Sequence, residues 1–187
     1  MTNPVLSIKN ASLAFGERTL WSNLNLDIQP HEFIAVIGAN GSGKTTLLKA
    51  ILGQEKLSEG TIELVGKPVR RGSTKIGYIP QHRSVDLATP MRAIDMLKLG
   101  LDGHKFGFPI SNRAANKKVQ HILGCVDAFD LAGKRVGELS GGEFQRLRVG
   151  QAVIDEPALI LADEPLSALD LAPVSYTHLR AHETKAN

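Results

Sequence analysis

A single cysteine, Cys125, stands in 187 residues. It excludes an internal disulfide framework and any paired-cysteine metal knuckle, fits a reducing compartment, and is expected to be buried as a small apolar residue. Aromatic residues make up only 5% of the chain, which leaves few platforms for stacking bases, and a net charge of +3 from 22 basic and 19 acidic residues provides no strong electropositive field. No nucleic-acid partner is therefore expected. Long apolar runs are missing as well: nothing approaches the roughly 18 residues that span a bilayer, and the opening MTNPVLSIKN has neither the basic start nor the apolar stretch of a secretory leader. The chain is expected to be neither secreted nor membrane-spanning. Against these absences, 42% hydrophobic and 22% charged residues are ordinary for a globular protein, and the length suits one compact unit.

Local patterns change along the chain. LSIKNASLAF and LNLDI alternate apolar and polar residues, as half-buried antiparallel strands do, with FGERT as a turn between them. FIAVI, residues 33–37, is unbroken apolar and predicts a strand buried on both faces of a largely parallel sheet. Leu47, Leu48, Ile51 and Leu52 share one helical face and Gly53 sits where a C-terminal cap belongs; TIELV and KIGYI then read as short strands. From Gln81 to about Leu139 the text is helical. Thr89 and Pro90 suit an N-cap and first turn, and after Ser111 the residues Ala115, Val119, Ile122, Leu123 and Val126 form a core stripe. A helix from about Gly141 to Ile154 and a buried strand ALILA follow, so a helical insert interrupts an α/β core.

Two segments carry phosphate chemistry. GANGSGKT fits GxxxxGK[ST] between a strand and a helix, the context that distinguishes a phosphate loop from a glycine-rich turn. Backbone amides of Gly38, Asn40, Gly41, Ser42 and Gly43 can face phosphate oxygens, and the helix start adds partial positive charge. Lys44 would reach the β- and γ-phosphates; Thr45 would offer its hydroxyl to Mg²⁺, with Thr46 one residue deeper. In LILADEP an apolar strand delivers Asp163 and Glu164 at its carboxyl end, where α/β sheets place ligands. Asp163 can hold Mg²⁺ directly or through water, and Glu164 can deprotonate the attacking water. Seen alone, the pair would be an acidic exit before Pro165.

LSGGE, Leu139 to Glu143, contains a capping box of Ser140 and Glu143. A cap does not need two glycines, however. Gly141 and Gly142 bare a helix N-terminus, so that Ser140 and free amides could grip a phosphate brought by another molecule.

The ordered set GANGSGKT, YIPQ, LSGGE, LADEP and SALD resembles the nucleotide-binding subunit of ATP-binding cassette (ABC) transporters across essentially all of residues 5–172. The resemblance implies an α/β P-loop NTPase (RecA-like) core with an N-terminal antiparallel β subdomain and an inserted helical subdomain at about 82–140, within a domain spanning 1–173. It implies a head-to-tail dimer, each ATP lying between the phosphate loop of one copy and the Ser140–Glu143 segment of the other. Phe15 matches the aromatic that stacks on adenine, where the family more often has Tyr; a core Phe is the competing reading. Gln81 matches the glutamine that senses Mg²⁺ and the γ-phosphate, and Asp170 the aspartate at the dimer interface. IGYIPQHRSVD and VGELSGGE look most like cassettes that energise zinc, manganese or related metal-ion importers. Expected partners are integral-membrane permease subunits and an extracellular or periplasmic substrate-binding protein, with the chain cytoplasmic and peripheral on the inner face of the membrane. His31, His82, His104 and His121 form no ligand-spaced cluster, so a transported metal is expected to bind elsewhere. A soluble cassette ATPase acting on ribosomes or DNA uses the same chemistry, as does an importer of another substrate. A GTPase would want NKxD, and NKKV at Asn116 lacks the Asp.

After Asp170 the family continues to a strand and a switch histidine. His178 and His182 come too early for that role. VSYTHLRAHET, residues 174–184, is similar instead to the translation of a transposase adapter used in sequencing libraries, so 174–187 is read as a non-native tail on a shortened cassette, with weak ATP binding and negligible turnover expected.

Overall fold

A computed structural model describes residues 3–81, 90–102 and 113–163. The described residues fall into two compact units: 3–77 with 156–163 in the first, and those between 78 and 155 in the second.

In the first unit, β1 (Leu6–Phe15) and β2 (Arg18–Ile28) form the antiparallel hairpin that their alternation predicts. The turn is tighter than FGERT: Phe15 pairs with Arg18, and Gly16 takes the positive φ of 57° that a two-residue connection needs. β3 (Glu59–Leu64) and β4 (Lys67–Pro68) complete a four-stranded sheet in the order β2-β1-β3-β4. Leu6, Ile8, Ala11 and Leu13 of the central β1 are almost wholly buried, as are Ile62 and Leu64 of its neighbour. α1 (Lys44–Ile51) buries Leu47, Ala50 and Ile51, and Gly53 follows in the left-handed conformation expected of a helix terminator.

β5 (Ile76–Ile79) and β6 (Leu159–Ala162) make a second, two-stranded sheet, begun where the Ala158 and Leu159 amides both donate to the Lys75 carbonyl. The expected third member is not there. Residues 33–37 form no strand, and Phe33 and Ile37 are more than nine-tenths exposed. An apolar run states a demand for burial, but a strand exists only through hydrogen-bonding neighbours, and none among the described residues pairs with it.

The second unit is helical. α2 (Ala93–Asp102), α3 (Arg113–Cys125) and α4 (Gly141–Val153) enclose one core that includes Met96, Leu97, Val119, Ile122, Leu123 and Leu147. Gly150 lets α4 approach closely, for a Cβ there would press within 2.9 Å of Ile122 and 3.1 Å of Leu97. α2 starts three residues later than Pro90 suggested. Arg92 is held extended by a bridge to Arg135, and the Ala93 amide donates to the Lys134 carbonyl. Thr89 and Ser111 lie outside the described residues. Cys125 is exposed rather than buried: it shares a helix face with His121, whose Nε2 lies 3.6 Å from its Sγ, beside and not within the core stripe. Among the described residues, no helix is long and apolar enough to cross a membrane.

Candidate functional site

Residues 38–46 run from an exposed loop into the start of α1 in the first unit. Gly43 at φ 93° is the N-cap of α1 and supplies no side-chain cap, and the first turn holds no acid. The partial positive charge of the helix start is therefore uncompensated by the loop's own side chains. The Ser42 amide donates to the Ala39 carbonyl at 3.2 Å, and the Leu47 amide to the Gly43 carbonyl at 2.8 Å, which sets the tight loop onto the first helical turn. Lys44 folds back over this loop: its Nζ donates to the carbonyls of Gly38 at 2.8 Å and Ala39 at 3.0 Å. A polyphosphate offers such an ammonium stronger, charged acceptors in their place.

Thr45 Oγ1 donates to Asp163 Oδ1 at 3.3 Å, joining the start of α1 to the end of β6. Asp163 is only 6% exposed. A buried carboxylate costs free energy unless a cation or donors answer it, and among the described residues one hydroxyl answers it. The pair offers hard oxygen donors of the kind Mg²⁺ takes. Thr46, half-buried, lies one position further into α1.

Phe15 ends β1 at 53% exposure, so it is not a core residue and its ring faces solvent. Sequence reasoning passed over Trp21. Its indole lies against the phosphate loop, 3.1 Å from where a Cβ on Gly43 would sit. Neither periodicity nor motif pointed to it; the available signal was a lone tryptophan whose register partner, Leu13, is a core residue.

In the second unit, Gln81 is exposed just past β5. The capping box is formed. The Ser140 amide donates to Glu143 Oε2 at 2.7 Å, the Glu143 amide donates to Ser140 Oγ at 3.3 Å, and Lys134 Nζ reaches Glu143 Oε1 at 3.1 Å. The amide and hydroxyl of Ser140, then Lys134, hold the Glu143 carboxyl down to a pKa of about 2. Gly141 and Gly142 are exposed, neither takes a positive φ, and a Cβ on either would meet nothing within 4 Å. Neither backbone conformation nor packing among the described residues requires glycine there.

Glu164, Asp170, His82, His104 and the 174–187 tail lie outside the described residues. Among those described, no three His, Cys, Asp or Glu side chains gather as a metal-holding group.

Comparison with known proteins gives one consistent answer. The family described as ABC transporter matches residues 21–167. The manganese transport system ATP-binding protein MntB of Halalkalibacterium halodurans is 32% identical over 92% of this chain and 69% of its own length. The zinc import ATP-binding protein ZnuC of Roseobacter denitrificans is 33% identical over 89% of this chain and 58% of its own. The chain thus spans between about half and two thirds of the length of such relatives. Among solved structures, a metal-chelate type ABC transporter in an inward-facing conformation superposes with a TM-score of 0.77 at 31% identity, covering 91% of this chain and 64% of that one.

Proposed function

Because the chain belongs to the ABC transporter family, we propose that it is the ATP-binding and ATP-hydrolysing subunit of a membrane importer for metal ions of the manganese and zinc class. The observation that carries the nucleotide reading is the meeting of Thr45 and Asp163 beside an uncapped helix start. The substrate class is supported by relatives named for manganese transport and zinc import.

In this reading Lys44 exchanges the Gly38 and Ala39 carbonyls for β- and γ-phosphate oxygens. Thr45 and Asp163 are the residues that would hold Mg²⁺, which when bound neutralises charge on the transferred phosphoryl group. Phe15 presents a ring face to adenine. Glu164 takes the proton of the attacking water, and Gln81 senses the occupied site. Ser140 with the bare amides of Gly141 and Gly142 binds the γ-phosphate held by a second copy, and Asp170 lines that dimer interface. Closure and reopening of the dimer would then drive permease subunits fed by an external substrate-binding protein, with this subunit on the cytoplasmic face of the membrane.

Two measurements test the two halves. Ribose-labelled fluorescent ATP is expected to bind in a Mg²⁺-dependent way, and absence of binding removes the nucleotide reading. Deleting the gene in its source cell is expected to lower radiolabelled manganese or zinc uptake. Unchanged uptake of both metals, with ATP binding intact, removes the substrate class alone.

A further inference from the structure

Trp21 lies on β2 opposite Leu13 in the antiparallel register. Its indole reaches the phosphate loop: a Cβ added to Gly43 would sit 3.1 Å from Trp21 Cδ1 and 3.4 Å from Nε1, with Leu20 Cβ at 3.5 Å. Gly43 therefore has two reasons to lack a side chain, its left-handed φ of 93° and the ring beside it. The same ring carries an anomaly. Its Nε1 is buried and has no hydrogen-bond partner among the described residues. Buried donors are paired in the great majority of cases, so an exception calls for a physical reason.

The reason lies in where the donor is. It flanks the residue immediately before Lys44, whose ammonium holds the Gly38 and Ala39 carbonyls. When phosphate oxygens take that ammonium, both carbonyls lose their donor and the loop must readjust around the ligand. New acceptors, from the loop or from the nucleotide, then come into the neighbourhood of a donor that has none.

We propose that Trp21 is a positioning residue for nucleotide binding: its ring fixes the left-handed turn at Gly43, and its indole N–H gains an acceptor when the loop closes on the polyphosphate. This rests on the nucleotide reading above. The hairpin strand β2 is thereby coupled to the phosphate loop through one side chain that touches no reacting atom.

Trp21 is the sole tryptophan, so the chain labelled with ¹⁵N-tryptophan gives a single indole N–H resonance. Titration with MgATP is expected to move that proton downfield, with the same midpoint as the binding of ribose-labelled ATP. Trp21→Phe keeps a ring against Gly43 and removes the donor; its ATP affinity is expected to fall roughly two- to tenfold, the range of one neutral hydrogen bond, with little change in melting temperature. Trp21→Ala removes ring and donor, and should lose more. A resonance that stays still while labelled ATP binds, or wild-type affinity in Trp21→Phe, overturns the proposal and leaves the nucleotide reading standing. Failure of the wild-type chain to bind labelled ATP overturns both. Should Trp21→Ala fail to fold, the wild-type titration and the Phe variant still decide.

Discussion

Thr45 and Asp163, 118 positions apart in the chain, meet through a hydrogen bond of 3.3 Å from hydroxyl to carboxylate. The contact puts the only described acid of the LADE segment beside the phosphate loop, at the end of a strand and the start of a helix. Asp163→Asn preserves the shape and an acceptor oxygen while deleting the charge of a residue that is only 6% exposed. The metal-free variant is therefore expected to melt no lower than wild type, since a buried charge has been relieved. Its Mg²⁺-dependent gain in ATP affinity should shrink by about 10- to 100-fold, the loss usual for a residue that holds or orients a metal. Calorimetric melting and ATP binding across a Mg²⁺ series check the two halves; an unchanged Mg²⁺ dependence would remove Asp163 from the site.

Lys44 has two partners to lose, the exposed carbonyls of Gly38 and Ala39. Water can replace a donor at an exposed carbonyl, so Lys44→Ala should change stability by less than about 0.5 kcal/mol. ATP affinity is a different matter, because hydrogen bonds to a charged group contribute about 1.5–3 kcal/mol each, and Lys44→Ala should weaken binding by at least about tenfold. Fluorescent-ATP titration beside a denaturant melt separates the effects. Undiminished affinity would remove the present placement of the phosphates.

How far the sequence could be read depended on the range of the interaction that each feature rests on. The loop-to-helix start at Gly43, the Ser140–Glu143 box and the Leu6–Ile28 hairpin were legible because each is decided within a few residues, by glycine placement, capping spacing or strict alternation. Phe33 to Ile37 was misread because its apolar character says nothing of which segment would pair with it. Cys125 was misread because a small apolar residue one step off a core stripe looks like part of it. Trp21 was missed because its contact with Gly43 joins a strand to a loop, and no local period encodes that.

Gly141 and Gly142 open α4 with no side chain where nothing among the described residues would collide with one. Replacing either with alanine improves helix propensity, so each variant should hold or gain stability, by up to about 1 kcal/mol. If the bareness serves a phosphate bound by another copy, the same methyl groups stand in its way, and ATP-dependent dimerisation should fall sharply. Light scattering with and without MgATP reads this directly. Variants that dimerise as well as wild type would return the segment to a plain helix cap.

Glu143 provides a pH test of that cap. The Ser140 amide and hydroxyl and the Lys134 ammonium all favour its ionised form, holding its pKa at about 2 against an ordinary 4.5. A carboxyl with a depressed folded-state pKa contributes stability that is fully present above the unfolded value and fades as pH falls through the folded one. The start of α4 should therefore keep its protection at pH 5, lose it progressively below about 4.5, and have lost most of it near 2. Amide hydrogen exchange at Gly142 and Glu143, followed down this range, should show the loss in wild type. In Glu143→Gln the profile should be flat, because no proton is left to bind. A wild-type profile that is itself flat between pH 5 and 2 would mean that the carboxylate does not hold the helix start, and that the serine hydroxyl alone caps it.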